Sequence, residues 1–188
     1  VSAANSAACP ESARPNSPRC SIRSEDTFAG VRGDPWRVIV SSSVEQLADR
    51  LEIESVINAY AWALDSKQFD GLDDVFTPDA FLDYTTAGGV KGDYPEVKAW
   101  LASILPHFPA YQHLISNVEI TIDGDTATSR AAFYNPMGHD KEDGSRAYFH
   151  CGGEYHDKWV RTKDGWRITN RFEQTVWMDG ELPAAMPT

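Results

Sequence analysis

Cationic side chains are scarce in this 188-residue sequence: 17 lysines and arginines stand against 28 aspartates and glutamates, a formal net charge of −11. Sequence-independent binding to nucleic acid or anionic lipid rests on clustered positive charge, so neither is an expected partner. No run approaches the roughly 20 apolar residues that a membrane-spanning helix needs. Cysteine is equally sparse, and Cys9, Cys20 and Cys151 are too scattered for a disulfide framework or a paired-cysteine metal site. So few thiols suit a reducing compartment. Arg14, Arg19 and Arg23 interrupt the chain before any apolar stretch long enough for a secretory signal, and a cytoplasmic protein is the expectation. The phosphate loop, the dinucleotide fingerprint, HExxH and GxSxG are all missing, so nucleophilic hydrolysis is not indicated.

Apolar material, in contrast, is ample. Hydrophobic residues make up 41% of the chain, with 6 Trp, 7 Tyr and 8 Phe, enough for one core of ordinary domain size. Residues 1–42 differ in texture from the rest: small residues, serines and Pro10, Pro15, Pro18 and Pro35, without apolar periodicity beyond Val38-Ile39-Val40. They read as a disordered leader. Five arginines against four acidic residues give it +1, which leaves −12 on the remainder. The folded unit is expected over residues 43–178, with a short tail over 179–188.

From Ser43, a plausible N-cap, apolar residues recur at steps of three and four: Val44, Leu47, Leu51, Ile53, Ile57, Tyr60, Ala61 and Leu64. This predicts an amphipathic helix. A short second helix is expected over Gly71–Phe76, stopped at Thr77-Pro78, and a strand over Ala80–Tyr84. A third helix reads from Tyr94 to about Leu105, with Pro95 in its first turn and Pro106 as its stop. Thereafter the period becomes two. Val118, Ile120 and Ile122 alternate with polar residues, Asp123-Gly124-Asp125 turns into a partner strand over Thr126–Tyr134, a looser loop is expected over Pro136–Ser145, and two longer strands follow around Lys163-Asp164-Gly165. Helices first and antiparallel strands afterwards make an α+β domain: a cone-shaped, curved, antiparallel (mixed) sheet with three N-terminal helices across one face. Gly152-Gly153 suits the bend that produces such curvature. The open end of the cone is where a small molecule fits.

Acid–base side chains occupy unusual places along this pattern. Asp65 ends the first helix and either caps neighbouring backbone or faces the mouth of the cavity. His113 precedes Val118, Ile120 and Ile122 in opposite phase, on a face shared with Ile115 and Asn117 if no bulge intervenes. It is a structural histidine or a pocket base; an aspartate on one ring nitrogen would make the other a base near neutral pH. Tyr60 and Tyr84 are core aromatics or phenolic donors to a substrate oxygen. His150, Glu154 and His156 would share a strand face and form a conceivable metal site, which Gly152-Gly153 is expected to break, so no metal is assigned. His107 and His139 are expected to be exposed, and Cys151 to be a small buried residue.

Several stretches carry a family resemblance. Ile57-Asn-Ala-Tyr60-Ala-Trp-Ala-Leu-Asp65, Phe69-Asp70 to Ala80, Gln112-His113 before Val118–Ile122, Gly153-Glu-Tyr155-His-Asp157-Lys-Trp159 and Asp164-Gly-Trp-Arg-Ile168 resemble the SnoaL-like branch of the nuclear transport factor 2-like superfamily. The nearest type by residues is the scytalone dehydratase and bile-acid 7α-dehydratase group of cofactor-free lyases. That resemblance implies catalytic roles for Asp65, His113, Tyr60 and Tyr84, and dimerisation through the exposed sheet face. It departs at Thr175-Val176-Trp177, where the bile-acid enzymes carry an arginine, and at His150, which matches a pocket histidine only if its register slips.

The resulting expectation is a cofactor-independent dehydratase or isomerase acting on a hydrophobic, ring-containing small molecule, with His113 as base oriented by Asp65 and with His150, Trp62, Trp100 and Phe133 contacting substrate. Two other readings stay open. One is a small-molecule-binding domain without catalysis; the other is the structural small subunit of a ring-hydroxylating dioxygenase.

Overall fold

The computed structural model describes residues 43–184; the expected leader, and the last residues of the expected tail, lie outside the described residues. Helix α1 spans Val44–Asp65, and the Ser43 hydroxyl caps it by accepting from the Gln46 N–H at 3.1 Å. Ile53, Ile57, Tyr60 and Leu64 form its buried stripe. Val44, Leu47 and Leu51, expected in that stripe, are instead exposed. Lys67, at φ 57, turns the chain sharply after the helix.

The expected second helix is a 3-10 segment over Phe69–Asp74, and the strand after it starts early: β1 runs Phe76–Asp83 through Pro78. A register shift between Phe76 and Phe81 accommodates the proline. Strand β2 (Lys91–Asp93) leads into helix α2 (Tyr94–Ile104), which buries Val97, Leu101 and Ile104. Strands β3 (Ala110–Tyr111), β4 (Leu114–Asp123), β5 (Thr126–Asp140), β6 (Arg146–Thr162) and β7 (Gly165–Gly180) complete one seven-stranded mixed sheet. Its order is β2-β1-β7-β6-β5-β3, with β4 also on β5 and the β1–β7 pair parallel. The stretch after Pro136, expected as loop, is strand as far as Asp140. Among the described residues no helix is long and apolar enough to cross a membrane.

Three bulges decide which residues face inward. In β4 the register shifts between Ser116 and Glu119, with Asn117 at φ 51. The extra residue inverts the phase, so Ile115, Val118, Ile120 and Ile122 all pack on the core, and the opposite-phase expectation fails. In β7 one residue is extra between Ile168 and Asn170, and another between Thr175 and Trp177. Strand β6 itself keeps strict alternation through Gly152-Gly153: Ala147, Phe149, Cys151, Tyr155, Asp157 and Trp159 are buried. His150, Glu154 and His156 therefore share the outer face. A Cβ on Gly153 would collide with the Gln174 carbonyl, which is why the bend requires glycine there.

Two polar pairs accompany the apolar core, one partly exposed and one fully buried. Arg161 forks onto Asp49, with Nη2 2.7 Å from Oδ2, and the Trp166 indole N–H donates to the same carboxylate at 3.2 Å. Asp157 and Arg171, opposite each other on β6 and β7, form a fully buried bidentate pair with both contacts at 2.7 Å.

Candidate active site

The sheet, α1, α2 and the segment around Gly88 enclose a cavity of about 380 Å³. Its wall is aromatic and aliphatic, with Trp100, Phe108, Phe133, Phe149 and Met137 prominent, and among the described residues no lysine or arginine contributes to it. A more open groove of about 890 Å³ lies by the 3-10 segment, but its chemistry is consumed internally. Lys98 pairs with Asp70 at 3.0 Å and with Asp73 at 2.9 Å, and the Tyr94 hydroxyl donates to Asp73 at 2.6 Å.

His113 enters the enclosed cavity because the strand breaks there. Tyr111 still pairs with Met137 and Leu114 with Tyr134, while the His113 N–H leaves the ladder and donates to both oxygens of Asp65, at 3.0 and 3.1 Å. The same carboxylate meets His113 Nδ1 at 2.7 Å. Asp65 can reach because it is the last residue of α1, where the Tyr111 hydroxyl donates to the Leu64 carbonyl at 2.7 Å and fastens the helix end to β3. One carboxylate thus fixes both the backbone and the ring of His113, leaving Nε2 for the cavity. Asn135 lies 3.2 Å from that nitrogen. With its oxygen toward the imidazole, its amide donates to the Gln112 carbonyl at 3.0 Å and the Pro136 carbonyl at 3.3 Å. In that orientation it accepts from Nε2 once the ring has taken up a proton.

Tyr60 and Tyr84 meet hydroxyl to hydroxyl at 3.1 Å on the cavity wall. Burial raises both phenols, that of Tyr84 strongly, so both stay protonated as donors. The Arg171 guanidinium lies 4.1 Å from the centre of the Tyr60 ring and 4.4 Å from that of Tyr155, and its charge partly offsets the effect of burial on Tyr60.

Trp100 and Phe133 line the cavity. Trp62 does not: it follows Tyr60 by two positions, about 200° around the helix, and is 71% exposed. His150 is also outside, on the outer sheet face, where its Nδ1 lies 2.7 Å from the Tyr134 hydroxyl and its ring stacks on Tyr134. His156 pairs with Glu154 at 3.2 Å on that same face.

Sequence reasoning did not single out three residues of this neighbourhood. Asn135 lies within a segment read as strand followed by loop, and Arg171 within the last strand. Glu173 lines the cavity while only 7% exposed, and burial pushes its carboxyl up to about 7, against the opposing pull of Arg171. Cys151, expected as a small buried residue, lies in the wall, its thiol raised to about 12 by burial.

The sequence pattern of the SnoaL-like domain family matches residues 45–172. An uncharacterized protein of Mycobacterium tuberculosis is 47% identical over 131 residues, covering 70% of this chain and 88% of that protein. Among solved structures, a provisionally assigned scytalone dehydratase from Novosphingobium aromaticivorans superposes with a TM-score of 0.65 at 22% identity, over 75% of this chain and 93% of that one. A hexachlorocyclohexane dehydrochlorinase from Novosphingobium barchaimii superposes with a TM-score of 0.61 at 16% identity, over 77% and 97%. At those identities the two structures share the fold.

Proposed function

Because the chain belongs to the SnoaL-like domain family, within the nuclear transport factor 2-like superfamily, we propose that it is a cofactor-independent lyase or isomerase acting on a neutral, hydrophobic, ring-containing molecule. The observation that carries this reading is the 2.7 Å contact between Asp65 and His113 Nδ1 at the wall of an enclosed apolar cavity. Asp65 holds the Nδ1 proton, so Nε2 faces the cavity as the base. Proton abstraction from carbon next to a carbonyl leaves charge on oxygen, and the Tyr60–Tyr84 phenols are the donors for it. Asn135 then accepts from the new Nε2–H. Trp100 and Phe133 would clamp the ring of the substrate. Elimination of a β-hydroxyl gives dehydration; without a leaving group, the double bond migrates. Two similar folds carry names that denote elimination chemistry, a dehydratase and a dehydrochlorinase, in keeping with this reading.

The test is turnover across a panel of neutral cyclic β-hydroxyketones, followed by absorbance of the enone formed. His113→Ala and Asp65→Asn should each lower the rate by about 10²–10⁴-fold with the fold retained by circular dichroism. Equal rates for either variant would remove the assignment.

A further inference from the structure

We propose that Glu173 is a second proton-transfer group of the cavity, a neutral carboxyl that donates to a ligand oxygen from the wall opposite His113. The sheet order separates the two residues by three strand spacings: Glu173 is on β7, and His113 adjoins the strand beyond β5. Three spacings are about 14 Å along a flat sheet, and inward-reaching side chains and sheet curvature shorten that separation. Both residues line the same cavity.

The surroundings of the Glu173 carboxyl favour its neutral form. Its polar partner is the Thr175 hydroxyl, which donates to Oε1 at 3.5 Å. Arg171, two residues before it, gives its Nε and Nη2 to Asp157 through two contacts of 2.7 Å, while its buried Nη1 has no partner among the described residues and its charge works against the effect of burial on Glu173. The other titratable groups facing Glu173 are the phenols of Tyr60 on α1, of Tyr84 after β1 and of Tyr155 on β6, together with the Cys151 thiol, all held protonated by burial. A carboxylate here would face these neutral groups across an apolar space, with the Arg171 charge, already paired with Asp157, as its partial compensation; a carboxylic acid avoids the cost of burying that charge. The lift of its titration toward neutrality agrees with that geometry.

This donor deepens the lyase reading, on which only its proton-transfer step rests. In a dehydration the C–H bond breaks and its proton passes to His113 Nε2, while its electron pair becomes the new C=C bond. The C–O bond breaks with its pair on oxygen, which takes the proton of Glu173 and departs as water. His113 is left as imidazolium and Glu173 as carboxylate, and return of one proton from the first to the second through solvent restores both. Because no lysine or arginine among the described residues lines the cavity and its acid must be neutral to act, the substrate class narrows to uncharged molecules with an oxygen at each end of the reacting segment.

The probe is prodan, an uncharged acylnaphthalene whose carbonyl accepts hydrogen bonds and whose emission moves to the red when it does. The full chain should bind it at least tenfold more tightly at about pH 5.5 than at about pH 8.5, with redder bound emission at the lower pH. Glu173→Gln, which keeps a donor but cannot ionise, should bind equally at both. Infrared difference spectra between the two pH values should contain a protonated-carboxyl C=O band that the variant lacks. Equal wild-type affinity at both pH values, a pH dependence that survives in the variant, or no binding at all would overturn the proposal. Elimination activity is scored separately: pH-dependent prodan binding without His113-dependent elimination keeps the donor and discards the lyase reading.

Discussion

The inner and outer faces of the same strands carry similar side chains, including histidines, carboxylates and tyrosines, yet these meet different surroundings. On the inner face His113 is anchored through ring and backbone by one carboxylate, beside phenols kept protonated by burial. On the outer face His150 stacks on Tyr134 and accepts or donates one bond to its hydroxyl, at a site open to water. Arginine shows the same contrast. Arg171 is wholly buried against Asp157 and the faces of two tyrosine rings, whereas Arg130 meets Glu119 at 3.0 Å in solvent. Chemistry on this sheet therefore depends on desolvation and fixed partners more than on residue type.

The comparison can be broken at its most buried point. Asp157→Asn leaves Arg171 charged and unpaired in the core, and chemical denaturation should report a loss of about 3–5 kcal/mol. Removing Arg130 from its exposed pair should leave the midpoint within experimental scatter. A second effect has a defined pH window. The folded-state value for Glu173 is raised from 4.5 to about 7, so its cost to stability is absent below about pH 4.5, grows as pH rises and is complete above about pH 7. Denaturation midpoints of wild type and Glu173→Gln, followed from acid to alkaline pH, should diverge by about 3 kcal/mol in favour of the variant. Third, Gly153→Ala forces the Gln174 backbone to move and should destabilise by about 1–3 kcal/mol in thermal unfolding. The smallest effect is expected at Trp62: with its ring in solvent, Trp62→Ala should change stability by no more than about 0.5 kcal/mol and leave prodan affinity unchanged, while Trp100→Ala should weaken it.

Much of this arrangement is legible in the sequence, and the parts that are not share a cause. Helix α1 and its cap follow from the spacing after Ser43, and the turns at Gly124 and Gly165 delimit the strands. Asp65 and His113 stand out because a carboxylate ends a helix and a histidine begins a strand. Bulges are what alternation cannot show. Counting by twos from the buried Trp166 and Ile168 would put Phe172 inside and Glu173 outside; the extra residue at Thr169 inverts the phase, so Glu173 is buried and Phe172 is 40% exposed. Conversely, Gly152-Gly153 suggests a shift in β6 that falls instead on β7, and for that reason His150 stays on the outer face. A helix offers no such ambiguity at Trp62. Its angular distance from Tyr60 already turns it from the core, and aromatic character alone suggested a role in the cavity.

The most direct measurement of the central claim is exchange of the α-hydrogens of a neutral cyclic ketone with deuterium oxide, followed by proton magnetic resonance. It reads proton abstraction alone, without requiring the leaving group of a true substrate. The wild-type chain and His150→Ala should catalyse the exchange, which should be lost in His113→Ala and strongly reduced in Asp65→Asn. Exchange that persists undiminished in His113→Ala, or that depends on His150 instead, would contradict it.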